Sequence, residues 1–168
     1  TLSATSAICA YTPMASSDVR VVILDTSGTT AIIGTPVILN VSASTYLSLS
    51  ALSSTKVICT YTTLSYYIYA VILDISGSTI TPGTPTLCMS TAAASYLKTS
   101  TMSDTKVICG YTSGAYPWAL VLGVSGSTVT AGTQVQLFSS SSTVATSVVG
   151  MSDTIAVMAF IVTLFSTT

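Results

Sequence analysis

The chain has 168 residues, 49% of them apolar and only 5% charged, with a formal net charge of −1, a length that suits one domain with a real core or part of a repeat array. Four scattered basic residues give no electrostatic footprint for nucleic acid, and the absence of histidine and of any CxxC pair argues against zinc. About a third of the residues are Ser or Thr, so the surface is expected to be hydrated by hydroxyls, covered by sugar, or buried against neighbours, as on an extracellular or assembled particle.

Taken in chain order, β-branched and aromatic residues run for about six positions between clusters of Ser, Gly, Thr and Pro, which is the pattern of short strands. The first strand is expected near Ser6 to Thr12 and the second near Arg20 to Asp25. A third crosses the Gly34-Thr35-Pro36 bend to about Asn40, and a fourth lies near Thr45 to Leu49. The Ser27-Gly28-Thr29 step between the second and third predicts a tight hairpin, because Gly accepts the positive φ such turns require. Helix is disfavoured throughout, since Thr, Ser and Val at this density are poor helix formers.

The same order then recurs. Leu52-Ser-Ser-Thr-Lys-Val-Ile-Cys-Thr-Tyr61 matches Met102-Ser-Asp-Thr-Lys-Val-Ile-Cys-Gly-Tyr111, with Leu2 to Tyr11 before them and Met151 to Phe160 after them. A second block repeats at Val22, Val71 and Leu120, and a Gly-Thr pair at Gly34, Gly83 and Gly132. A fixed period of about 50 residues marks an array and outranks local propensity. It divides the chain into repeats at 2–51, 52–101 and 102–150, with a partial fourth at 151–168 that is expected to close a ring or link subunits. The apolar run Ile155 to Phe165 aligns with the earlier first strands, and as a helix it would reach only about 16 Å, so a strand is expected and not a membrane span.

Alternation puts Ala7, Cys9 and Tyr11 on one face of the first strand and Ile8 and Ala10 on the other. Both faces are apolar in every copy, so both must be covered, and the large-then-small order on the second face lets a neighbouring sheet approach closely. The expected fold is all-β, built of tandem four-stranded repeats that are like β-propeller blades, with a β-trefoil as the alternative. The segment Ser103-Asp-Thr-Lys-Val-Ile-Cys-Gly-Tyr111 and the following Leu-x-Val-Ser-Gly-Ser-Thr-Val-Thr-x-Gly-Thr block resemble tandem propeller-like repeats of phage virion tails and fibres and of bacterial surface proteins. The resemblance implies a tail, fibre, filament or adhesion role. Three units cannot close a ring that typically needs four to eight, so the chain is expected to be a homo-oligomer or part of a larger assembly.

Cys9, Cys59 and Cys109 hold one equivalent position, filled by Met158 in the fourth copy, and so read as buried structural thiols. Equivalent positions in successive units are expected to lie too far apart for a disulfide. Cys88 is expected to fill the core face of its strand. Asp25 and Asp74 fall at a turn position, and Asp104 and Asp153 read the same way. With no His to activate a serine and no support for a carboxylate pair, no catalytic residue, metal or cofactor is expected. Arg20, Tyr69 and Trp118 are equivalent positions that differ among similar surroundings, and with Tyr66, Tyr67 and Tyr116 they are the candidate ligand-binding or interface residues, expected to face outward toward a subunit or a cell-surface glycan. Asn40-Val41-Ser42 is a glycosylation sequon in a competent host.

Overall fold

The structure is a computed structural model, described here for residues 2–14, 16, 18–39, 46–90, 93–139 and 142–163. Asn40 and its sequon lie outside the described residues. In chain order the strands are β1 (Ser6–Tyr11), β2 (Arg20–Asp25), β3 (Ile32–Ile33), β4 (Val37–Ile38), β5 (Leu47–Ser53), β6 (Lys56–Thr62), β7 (Ile68–Ser76), β8 (Thr79–Pro82), β9 (Thr86–Met89), β10 (Ala94–Ser103), β11 (Lys106–Ser113), β12 (Tyr116–Ser125), β13 (Thr128–Ala131), β14 (Val135–Gln136), β15 (Ser142–Gly150) and β16 (Ala156–Thr163). The protein is all-β. Among the described residues no helix is long and apolar enough to cross a membrane, and the run from Ile155 contributes β16.

These strands form four antiparallel sheets. The first has order β1-β2 with β3 and β4 both bonded to β2, and the second has order β5-β6-β7 with β8 and β9 both bonded to β7. The third repeats the second as β10-β11-β12 with β13 and β14 on β12, and the fourth is the pair β15-β16. The sheets are separate and none closes on itself, so no trefoil-like barrel forms among the described residues.

The expected third strand is present in each longer sheet as two pieces divided by the glycine bend. There the amide of Gly34, Gly83 or Gly132 donates to the carbonyl of Ile23, Ile72 or Val121 at 2.8–2.9 Å. A Cβ added at Gly132 would stand 2.9 Å from the Val121 oxygen, and one at Gly34 3.0 Å from that of Ile23, so the bend is too close to its partner strand for a side chain.

The expected hairpin after the second strand forms in two units and fails in one. Ser76 pairs with Thr79 and Ser125 with Thr128 across two-residue turns that open on Gly77 and Gly126, both at φ +59°, as a primed turn requires. In the first sheet pairing stops at Asp25↔Ile32. The reason lies in the neighbouring pair: Ile75 and Ile80, like Val124 and Val129, are buried partners that hold the hairpin shut, whereas Thr26 and Ala31 occupy those places in the first unit. With that apolar pair gone, Asp25 accepts the Ser27 amide at 2.9 Å and a local turn takes over.

The expected fourth strand proves to begin the next sheet. β5 pairs with β6 in the register Leu49↔Cys59 and Ala51↔Val57, and β10 and β15 pair with β11 and β16 in the same way. Each joins its partner through a turn in which a serine oxygen accepts the amide of the threonine two residues on: Ser53 and Thr55 at 3.2 Å, Ser103 and Thr105 at 3.4 Å, Ser152 and Thr154 at 3.4 Å. A short local hairpin is the easiest pairing for the chain to find. The sheets are therefore one strand out of phase with the sequence repeat.

Successive sheets pack face to face. Val21 and Ile23 of the first sheet share a buried cluster with Val57, Cys59, Tyr61, Val71 and Leu73 of the second. Ile58, Ile68, Ala70 and Ile72, from the opposite face of the second, share another with Val107, Cys109, Tyr111, Leu120 and Leu122 of the third. One face of each sheet, here called the Cys face, thus meets the other face, the Ile face, of the sheet before it.

The closest approach is at Gly150, where an added Cβ would fall 2.8 Å from the Thr101 carbonyl carbon and 3.0 Å from the Met102 Cα. Gly150→Ala and Gly132→Ala should each lower stability by about 1–3 kcal/mol, while Gly28→Ala, whose Cβ would meet nothing closer than 4.0 Å, should change it little. Urea unfolding of the three variants measures this.

Candidate functional site

The chemistry of the chain is concentrated on the sheet faces, so these are the surfaces from which a functional site must be built. Between the sheets a seam of hydroxyls joins the leading strands β5, β10 and β15. Ser48 Oγ accepts the Thr99 amide at 3.0 Å and bonds the Thr99 hydroxyl at 2.9 Å. Thr101 bonds the Ser50 hydroxyl at 2.7 Å and donates to the Ala51 carbonyl at 2.6 Å. One sheet further on, Ser100 Oγ accepts the Gly150 amide at 3.0 Å, and Thr146 donates to the Tyr96 carbonyl. The partners are about one repeat apart in sequence, so the seam bonds equivalent strands of successive units. Recurrence of Ser and Thr at that spacing was the signal for it, and composition alone masked it.

The small positions of the Ile face are matched in size to the soft residues of the Cys face. A Cβ on Gly110 would meet Met158 Cε at 3.1 Å and Sδ at 3.2 Å. Thus the largest residue at the thiol position faces the smallest residue of the facing series Ala10, Thr60, Gly110. Cys59 and Cys109 are fully buried and free, Cys9 and Cys88 are half-buried and free. Burial pushes the Cys59 and Cys88 thiols up to about 12 and raises Cys109 further. Such thiols are poor nucleophiles.

Tyr69 and Trp118, two of the candidate aromatic positions, are not outward. Both are half-buried and pack against the two inter-sheet clusters, because each is the cross-strand partner of a Cys-face tyrosine: Tyr61↔Tyr69 and Tyr111↔Trp118, with Tyr11↔Arg20 in the first sheet. The Tyr61 and Tyr69 rings stack at 5.9 Å and 9°. Tyr111 donates its hydroxyl to Gln134 at 2.8 Å, while the Tyr61 hydroxyl, Trp118 Nε1 and Arg20 Nε are buried without a hydrogen-bond partner among the described residues. Of the other candidate tyrosines, Tyr66 and Tyr116, the latter opening β12, are exposed and Tyr67 is half-buried. The structure does not bring these six residues together into one pocket.

The aspartates also depart from expectation. Asp25 makes its turn, but Asp74 lies within β7, ion-paired with its cross-strand partner Lys56 and accepting the Ser127 hydroxyl of the next sheet at 2.7 Å. The strand extends past Asp74 because Ile75 is buried. In the turns at Asp104 and Asp153, serine supplies the side-chain acceptor instead. Where the third unit has Gly123 opposite Lys106, the lysine reaches the Asp153 carbonyl at 3.2 Å. A cleft of about 350 Å3 between the second and third sheets is lined by Leu52, Lys56, Asp104, Thr105 and Val124. No group of three metal-ligating side chains occurs among the described residues.

The two ends of the stack complete the inventory. On the Cys face of the first sheet, around a buried Val22, Tyr11 is 36% exposed and Ile33 70%. On the Ile face of the fourth, Val149, Val157 and Ile161 are 55%, 54% and 60% exposed. Comparison with protein-family models, curated proteins and solved structures finds no match.

Two outcomes follow for the buried groups. A thiol reagent should modify Cys9 fastest in the folded chain, half-buried Cys88 more slowly, and Cys59 and Cys109 only when urea unfolds it; equal rates for all four would contradict their burial. The Lys56 ammonium and Ser127 hydroxyl lower the Asp74 carboxyl below its ordinary 3.8. The pair therefore stabilises fully above that value, and its contribution is lost as the pH falls through the lowered folded value. Because both side chains are partly exposed, Asp74→Asn should cost no more than about 1 kcal/mol at neutral pH and less in acid, measured by denaturation at pH 7 and pH 2.5.

Proposed function

We propose that this chain is a structural, non-enzymatic unit of an extracellular or virion assembly, a fibre, filament or decoration built by self-association of stacked β sheets. The observation that carries this reading is the pair of apolar sheet faces at the ends of the stack, whose counterparts inside the chain are buried, on a molecule with only 5% charged residues. A soluble monomer rarely leaves contiguous apolar faces uncovered. The propeller-like arrangement belongs to the same reading. Four-stranded meanders of one register stack through both faces, and further sheets would extend or close the array.

The supporting features are of one kind. Cores lie between the sheets, the seam is made of uncharged hydroxyls, and the buried Cys59 and Cys109 thiols are held in the unreactive form. A glycan-binding role asks for outward aromatic rows, whereas Tyr69 and Trp118 are turned into the inter-sheet cores.

Light scattering and electron microscopy of the purified chain test the proposal. Rings or filaments, with a mass well above 17.1 kDa, are expected. A monodisperse particle of 17.1 kDa at all accessible concentrations would remove the self-association reading.

A further inference from the structure

The three junctions inside the chain are of one kind and one direction. The Ile face of the first sheet meets the Cys face of the second, the second meets the third in the same sense, and Gly110 of the third meets Met158 of the fourth. Residues of the second sheet, covered on both sides, are sealed: Ile58, Thr60 and Cys59 are 0% exposed and Tyr61 1%. Among the described residues no further sheet lies on the Cys face of the first sheet or on the Ile face of the fourth. The first sheet presents Cys9 and Tyr11 where the second presents Cys59 and Tyr61, and the fourth presents Val157 and Ala159 where the second presents Ile58 and Thr60.

Resting on the self-association reading, we propose that copies of this chain join head to tail, the Ile face of the fourth sheet of one copy lying on the Cys face of the first sheet of the next. The occupant of each end is a second copy because the two ends are the two halves of a junction the chain already makes three times. Size agrees as well as hydrophobicity. Ala159 stands at the small position and Cys9 at the thiol position, and an alanine over a thiol is the combination at the first internal junction, where Ala10 packs against the cluster containing Cys59. At the third junction the larger Met158 is matched instead by a glycine. A two-fold contact would set one face against itself, so that neither end met the complement it meets at the internal junctions.

A contact between two different surfaces is heterologous: it leaves a free face on each new end and continues until a ring closes or a filament grows. The described residues of the fourth-sheet face carry no charge, and Arg20 is the charged residue of the first-sheet face, so no like-charge repulsion opposes the contact.

The test uses two variants of the full chain. One blocks the first-sheet face with Tyr11→Lys and Ile33→Lys, and the other blocks the fourth-sheet face with Val157→Lys and Ile161→Lys; these side chains are already 36–70% exposed. Each variant alone should stay at 17.1 kDa, and an equimolar mixture should give a dimer of twice that mass, joined through the one intact junction. Dimers of either variant alone would show a two-fold contact and overturn the proposal, as would assembly of both variants to the size of the unaltered chain, which would place self-association on another surface. If the unaltered chain is itself monomeric, the self-association reading falls too. Should a variant fail to fold, alkylation of the unaltered chain decides. Cys9 should react slower by about tenfold or more in the assembled form than in the diluted form, with Cys88 unchanged, and equal Cys9 rates would overturn the pairing.

Discussion

The contact on which everything else depends is the one between the Ile face of one sheet and the Cys face of the next. A sheet that is apolar on both sides is stabilised by covering both, and the inner sheets of the stack are covered in this way. Full burial of each Ile, Leu or Val contributes about 1.5–3 kcal/mol. The Lys56–Asp74 ion pair, half-open to solvent, contributes at most about 1 kcal/mol. The stack is therefore held by its faces, and a chain built this way can dispense with charge.

Apolar attraction has no direction, and two flat apolar faces can slide over one another. The hydroxyl seam removes that freedom. Ser48 and Ser50 meet Thr99 and Thr101, and Ser100 meets Gly150, in one alignment of the leading strands. Each such bond contributes only about 0.5–1.5 kcal/mol when made, but a slip that left the hydroxyls buried and unpaired would cost more than that. The seam thus sets the offset between sheets more than it sets the depth of the minimum. The high Ser and Thr content, read from the sequence as surface hydration, has this second use between the sheets.

Departures from strict repetition are accommodated locally. Replacing the Ile75 and Ile80 pair by Thr26 and Ala31 opens one hairpin without disturbing the bend at Gly34, which still donates to Ile23. The change from cysteine to Met158 is absorbed by Gly110 on the facing sheet. Where Asp74 has given way to Gly123, Lys106 turns to a carbonyl of the following unit. In the last two cases the neighbouring unit supplies the compensation, because adjacent sheets share one interface.

The sequence by itself determined the all-β class, most strand positions, the glycine bends and the two-sided apolar character of β6 and β11, since these follow from a period of 2 and from turn residues whose φ or lack of a side chain is decisive. It also put Cys59 and Cys109 in the core, because a thiol at the same step of each copy, replaced by methionine in the last, describes an apolar site. Only the tertiary structure decided that the last strand of each repeat begins the next sheet, that Tyr69 and Trp118 turn inward, and that Asp74 is a cross-strand partner and not a turn residue. Alternation says that two residues share a face but not which face a neighbour will cover. A strand's hydrogen-bond partner is chosen by the short hairpin that chain geometry allows, and a periodic sequence is equally compatible with every phase of its own repeat.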